Sequence, residues 1–157
     1  MDIETKRGQK SLEYEREAIE KVSRSHPEYR FIETPKKMPA AVDGVFMKGG
    51  ELNSVVEVKV RNMTRKQLLM HFHDKWLVTM EKVEKGRTLS ALLGIPFVGM
   101  LYLLPEKRLL TLMITDDKGE WAFDFETRET TTQKCINGGE AVRLNAFLPL
   151  ATAKEHE

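Results

Sequence analysis

The run Val55-Val56-Glu57-Val58-Lys59-Val60 constrains this chain more than any other segment. Side chains alternate across a strand, so Val56, Val58 and Val60 share one face, the core face, and Glu57 and Lys59 stand together on the other. A second strand-like run, Ala41 to Met47, precedes it, and Lys48-Gly49-Gly50-Glu51 between them is a turn signal. The two runs therefore form an antiparallel hairpin. With the pivot at Gly50, Asp43 stands opposite Glu57, and antiparallel partners have Cβ atoms about 4.5–5.5 Å apart. Two carboxylates facing each other there repel; a cation between them turns that penalty into a binding site. Hard divalent ions such as Mg²⁺ take one or two carboxylates together with water and phosphate oxygens. A wetted, charged strand face would show the same alternation, so the periodicity alone does not decide between the two.

The rest of the chain frames the hairpin. Ser11 to Arg24 has helix composition, with Ser11 as N-cap and Pro27 as stop. Tyr29 to Thr34 reads as a short strand, and Pro35-Lys36-Lys37-Met38-Pro39 as a stiff basic loop. Beyond Asn62 the pattern turns helical, from about Thr64 through the Glu81–Leu93 region, with a break near Trp76–Thr79. Pro96 to Leu104, Arg108 to Thr115 and Trp121 to Phe125 read as strands, the last after an Asp117-Lys118-Gly119 turn. After Thr127 the pattern is poor, with one strand expected near Ala141–Leu144 and no role assigned to the tail. The expected fold is α/β, a single domain over residues 1–157 with one central mixed sheet flanked by helices.

The first helix offers a third carboxylate. Advancing about 100° per residue from Leu12 places Glu15 inside the arc of Ala18, Ile19 and Val22, whereas Glu13, Glu17 and Glu20 fall on the opposite side. A Glu at the edge of an apolar stripe can snorkel; the sharper reading points Glu15 over the sheet toward Asp43 and Glu57. Asp43, then Glu57-Val58-Lys59 fourteen residues on in a hairpin, with a Glu on the preceding helix, resembles the PD-(D/E)XK nuclease superfamily. The likeness runs from Ser11 to about Gln67. Val42 stands where the motif's Pro would be, a position that ligates nothing. The helix start Gly8…Glu15-Arg16 and the small size are similar to archaeal and phage Holliday-junction resolvases, and equally to small phage nucleases of other substrates.

The resemblance implies a restriction-endonuclease-like fold and a metal-dependent endonuclease cutting DNA, with Mg²⁺ or Mn²⁺ as cofactor. It implies Asp43, Glu57 and the Val58 carbonyl as metal ligands, and Lys59 as the group that orients the attacking water. Glu15 would take a second metal or bind a metal-bound water, and Gln67, eight residues after Lys59, matches a Gln used by some branches. A junction resolvase would also be a homodimer, its two sites serving paired strands of branched DNA.

Charge supports that picture only by position. The 25 basic and 24 acidic residues leave a net charge of +1, which excludes a uniformly basic nucleic-acid binder but not a basic rim. Lys36, Lys37, Arg61, Arg65 and Lys66 flank the candidate site and read as phosphate contacts, which position a backbone without reading sequence. Lys82, Lys85 and Arg87 are interleaved with Glu81 and Glu84 and read as a solvated face. His71 and His73 are two apart on a helix and diverge by about 200°, so with Asp74 they make a poor zinc site. Trp76, Phe72 and the methionines read as packing, and Cys135 lacks the surroundings of a nucleophile. No Gly-rich phosphate loop, signal peptide or membrane-length apolar run occurs, and the single cysteine gives no reason for an oxidising compartment, so a cytoplasmic protein is expected. The competing readings are a DNA-binding module that keeps the fold without cutting, and an interaction domain whose charged strand face is merely wet.

Overall fold

A computed structural model of the chain describes residues 6–35, 40–134 and 140–156. Helix α1 (Lys6–Ser25) leads into β1 (Tyr29–Glu33), β2 (Gly44–Lys48) and β3 (Glu51–Arg61), which pair antiparallel in that order. The chain then crosses through α2 (Arg65–Phe72), β4 (Lys75–Thr79) and α3 (Met80–Leu93) and returns as β5 (Phe97–Leu103), parallel to β3. A 3-10 turn (Leu104–Glu106) connects to β6 (Arg108–Thr115), and β7 (Glu126–Lys134), β8 (Glu140–Pro149) and β9 (Lys154–His156) complete the chain. The main sheet is mixed and six-stranded, in the order β1-β2-β3-β5-β6-β9. No helix of the described residues is long and apolar enough to cross a membrane.

An α/β fold with a central mixed sheet flanked by helices is therefore what forms, but with a second sheet, β4-β8-β7, beside the one expected. The break foreseen near Trp76–Thr79 is β4, whose buried residues Trp76 and Val78 alternate with half-buried ones. Two backbone-reversing residues, His73 at φ 53° and Asp74 at φ 59°, end α2 and start this strand. The Trp121–Phe125 strand does not form beyond one bridge from Thr115 to Trp121; its aromatic side chains pack on the core as a looped cluster instead. The strand expected near Ala141–Leu144 lies inside the longer β8. Residues 126–134 escaped the sequence reading because Thr-Arg-Glu-Thr-Thr has β-branched residues but no apolar alternation.

Both faces of the main sheet are covered, and β3 runs through the middle. Its even-numbered residues Val56 and Val58 pack with Phe46, Met100, Tyr102 and Leu109 under Ala18 and Val22 of α1. Its odd-numbered Val55 belongs to the larger core on the other side, with Val83 of α3, Phe97, Leu101 and Ile114, and with Trp76 and Leu148 of the small sheet. Gly99 of β5 is what lets Trp76 lie flat there: a Cβ at that position would stand 2.4 Å from the indole ring. A solvated Glu57–Lys59 face was one of the two readings the alternation allowed. Most of it is roofed by α3 and the small sheet.

Candidate active site

The hairpin register agrees with the pivot at Gly50: Gly44 pairs with Val56, Val45 with Val55 and Phe46 with Ser54. Beyond Phe46 a one-residue irregularity absorbs the turn, where Gly49 and Gly50 take φ of 60° and 79°, a left-handed conformation open to glycine. Asp43 is the residue just before β2, so by register it stands opposite Glu57, where β3 runs past the start of β2 and is paired only with β5.

Hydrogen bonds fix what happens at that end. Along β3 the odd residues bond toward β5, as Val55 N–H does to the carbonyl of Pro96 (2.9 Å), and the even ones toward β2, as Val56 C=O does in accepting from Asp43 N–H (3.1 Å). At Val58 the partner strand has run out. The Asp43 carboxylate takes its place, with Oδ2 accepting the Val58 N–H at 2.7 Å. The Val58 carbonyl is directed to the same side as its N–H, the open edge of β3 next to Asp43.

Glu57 is the anomaly of the fold. It is 1% exposed, among the most enclosed side chains in the protein. Among the described residues three buried side-chain polar atoms lack a hydrogen bond, and two of them are Oε1 and Oε2 of Glu57; the third is Nε1 of Trp76. A buried carboxylate without hydrogen bonds is costly unless a cation compensates it. Lys59 Nζ lies 3.4 Å from Oε1 and Lys82 Nζ, from the first turn of α3, lies 4.0 Å away. Burial first, and the nearby Asp43 charge second, push the Glu57 carboxyl up to about 7, against the pull of Lys59 and Lys82. Shifted acids cluster at functional sites, and structural ion-pair networks shift acids as well.

The structure thus brings together Asp43, Glu57, Lys59 and the Val58 backbone, and adds Lys82. It does not bring in Glu15. That residue is buried at 6% exposure, as its place in the apolar arc required, but α1 covers the even-numbered face of β3 while Glu57 belongs to the odd-numbered one. The charges that act on Glu57 are those of Asp43, Lys59 and Lys82. No three His, Cys, Asp or Glu side chains among the described residues are grouped to hold a metal.

The basic rim is also redrawn. Arg61, expected on phosphate, turns its guanidinium inward to the carbonyls of Val60 (3.2 Å) and Leu77 (3.3 Å), tying β3 to β4, and burial lowers its pKa. Arg65 grips Asp74 with two bonds of 2.7 and 2.8 Å, which also removes Asp74 from any metal set with His71 and His73. Gln67 closes a capping box at the start of α2: its Oε1 accepts from Thr64 N–H (2.8 Å) and its own N–H donates to the Thr64 hydroxyl (3.1 Å). Sequence spacing could not separate these roles from ligand contact. Lys66 remains exposed. Lys36, Lys37 and Cys135 lie outside the described residues.

Of the three cations read together as a solvated face, only Lys85 fits, in a surface pair with Glu81 at 2.9 Å. Arg87 lies over the Trp121 ring and donates to Gly119 C=O at 2.8 Å. Lys82 belongs to the site. Its signal was a lysine in the first turn of the helix that follows the break at Trp76–Thr79, where the dipole disfavours a cation.

No protein-family model, curated protein or solved structure matches the chain.

Proposed function

We propose that the chain is a divalent-metal-dependent deoxyribonuclease with Asp43, Glu57 and Lys59 as its catalytic set, and that branched DNA is its substrate. The observation that carries the reading is Glu57: a buried carboxylate whose two oxygens have no hydrogen bond, facing Asp43 at an open strand edge with Lys59 at 3.4 Å. Those donors fit a hard cation. Mg²⁺ or Mn²⁺ would be held by Asp43, Glu57 and the Val58 carbonyl, and when bound supplies Lewis acidity toward a phosphate oxygen and makes water nucleophilic at neutral pH.

The protein's own groups do the rest. Asp43 is anchored by the Val58 N–H, which holds its carboxylate at the edge of β3 beside Glu57. Glu57 is held rigid by the strand and by burial, so little reorganisation accompanies binding. Lys59 is 29% exposed at its side chain, reaching from the enclosed carboxylate toward solvent, where it orients the attacking water and offsets the charge growing on the phosphate. Lys66 supplies exposed positive charge for the DNA backbone. Resolution of a four-way junction would require two copies in a symmetric dimer.

Cleavage assays on four-way junction, flap, single-stranded and linear duplex DNA with Mg²⁺ test this directly. The wild type is expected to cut only with the metal, fastest on the junction, and Asp43→Ala and Lys59→Ala to lose on the order of a hundredfold or more. Equal rates in Lys59→Ala and wild type would remove Lys59 from the mechanism; cutting that persists in a chelator would remove the metal.

A further inference from the structure

We propose that Lys82 is an exchangeable counter-ion of Glu57, which balances the carboxylate while no divalent cation is bound and turns to the DNA phosphate once one is. The inference rests on the nuclease reading and adds a residue and a loading step to it.

The first observation is charge balance. Asp43 and Glu57 contribute two negative charges, and Lys59 and Lys82 two positive ones, all acting on one enclosed carboxylate. When Glu57 is ionised, the ammonium groups of Lys59 and Lys82 are the positive charges beside it. A divalent ion ligated by Asp43 and Glu57 satisfies both carboxylates, and leaves two ammonium groups beside it with no acid to pair with. One of them must yield, and the phosphodiester that the site is built to meet brings the anion it can move to.

The second observation says which one yields. Lys59 stands on β3 itself, two residues from Glu57 on the same face, and its Nζ is the nearer at 3.4 Å with a side chain 29% exposed. Lys82 comes from a different element, reaches Oε1 at 4.0 Å and is 37% exposed. It has the looser hold, the wetter position and a four-carbon stem with room to swing.

The third is its place in the helix. Lys82 is in the first turn of α3, after the Thr79 N-cap, where the backbone N–H groups already carry positive charge. Helix stability therefore disfavours a lysine here, while the same positive helix end favours an approaching phosphate. Lys82 and the α3 N-terminus carry the same sign of charge. Lys85, one turn on, is instead paired with Glu81 and takes no part.

The test is Lys82→Ala and Lys82→Arg against wild type, read by calorimetric titration with Ca²⁺ alone, by thermal melting, and by Mg²⁺-dependent cutting of junction DNA. Removing a competing cation is expected to tighten Ca²⁺ binding by up to about fivefold, the range of a half-exposed ion pair. In the same variant kcat is expected to fall roughly tenfold to a hundredfold, with Lys82→Arg restoring most of it. Tighter metal with slower cutting is a signature that loss of packing does not produce. Unchanged Ca²⁺ affinity and cutting in Lys82→Ala, or weaker Ca²⁺ binding alongside a lowered melting temperature, would overturn the exchange while leaving the nuclease standing. A wild type that neither binds Ca²⁺ nor cuts would remove the nuclease reading, and this step with it.

Discussion

The two faces of β3 are built from alternate residues of one run, Val55 to Val60, and behave in opposite ways. On the even-numbered face, Val56 and Val58 are fully enclosed under α1 with aliphatic and aromatic neighbours, and every contact favours the folded state. On the odd-numbered face, Val55 is equally enclosed, but two residues along comes Glu57, a carboxylate shut away from water with no hydrogen bond to its oxygens. One face gives stability, and the other accepts strain at a single position. The contrast teaches where to look in such a fold: local rules are broken where a function, rather than packing, decides the residue.

Glu57→Gln breaks the contrast most sharply. Cutting should fall on the order of a thousandfold, since the ligating charge is gone. Stability should move the other way. The folded carboxyl sits at about 7 against an ordinary 4.5, so between those values the folded state binds more protons than the unfolded one, and wild-type stability falls as pH rises through that window. The penalty is absent below 4.5 and complete above 7, where it is on the order of 3 kcal/mol. Denaturant melts of the metal-free protein at pH 5 and pH 8 should show the variant gaining at pH 8 and not at pH 5. A wild type as stable at pH 8 as at pH 5, relative to the variant, would contradict the strain assigned to this residue.

Val58→Ala sharpens the comparison from the other face. It should destabilise by about 2–3 kcal/mol through lost burial and the cavity left under α1. Its carbonyl remains, so the cutting rate per folded molecule should stay within about twofold of wild type, as rates measured well below the melting temperature would establish.

The smallest effect expected is that of Gln67→Ala. Opening the capping box should cost roughly 0.5–1 kcal/mol, visible as a lower denaturation midpoint, with DNA affinity unchanged. Weaker DNA binding without a stability change would return Gln67 to the role its spacing first suggested.

What the sequence made legible follows from the range of the forces involved. The hairpin, its Gly50 pivot and the Asp43–Glu57 opposition depend on alternation and turn chemistry, which act over a few residues and were readable. The burial of Glu15 was readable from helical periodicity, but not the side of the sheet on which α1 lies, because that is a tertiary choice. Arg61, Arg65 and Gln67 had the right charge or polarity at the right distance from Lys59. Their partners, Leu77, Asp74 and Thr64, are set by the path of the chain after β3, where β4 was hidden inside what looked like one interrupted helix. The small sheet was missed for the same reason: β7 is rich in threonine and charge, and its apolar periodicity is weak.

The crossover from β3 to β5 has a consequence for when Glu57 becomes enclosed. Glu57 and Lys59 lie before it, Lys82 lies inside it, and the parallel pairing of β3 with β5 closes it. Parallel pairs joined by long connections are slow to form, since the entropy of closing the loop is lost before the contacts compensate it. Asp43 and Glu57 can meet as soon as the local hairpin forms, yet Glu57 is walled off from water only when β5 has docked and α3 has been drawn over it. A nascent or half-folded chain therefore holds two ordinary solvated carboxylates. The enclosed carboxylate with its raised acidity exists only once that closure has been made.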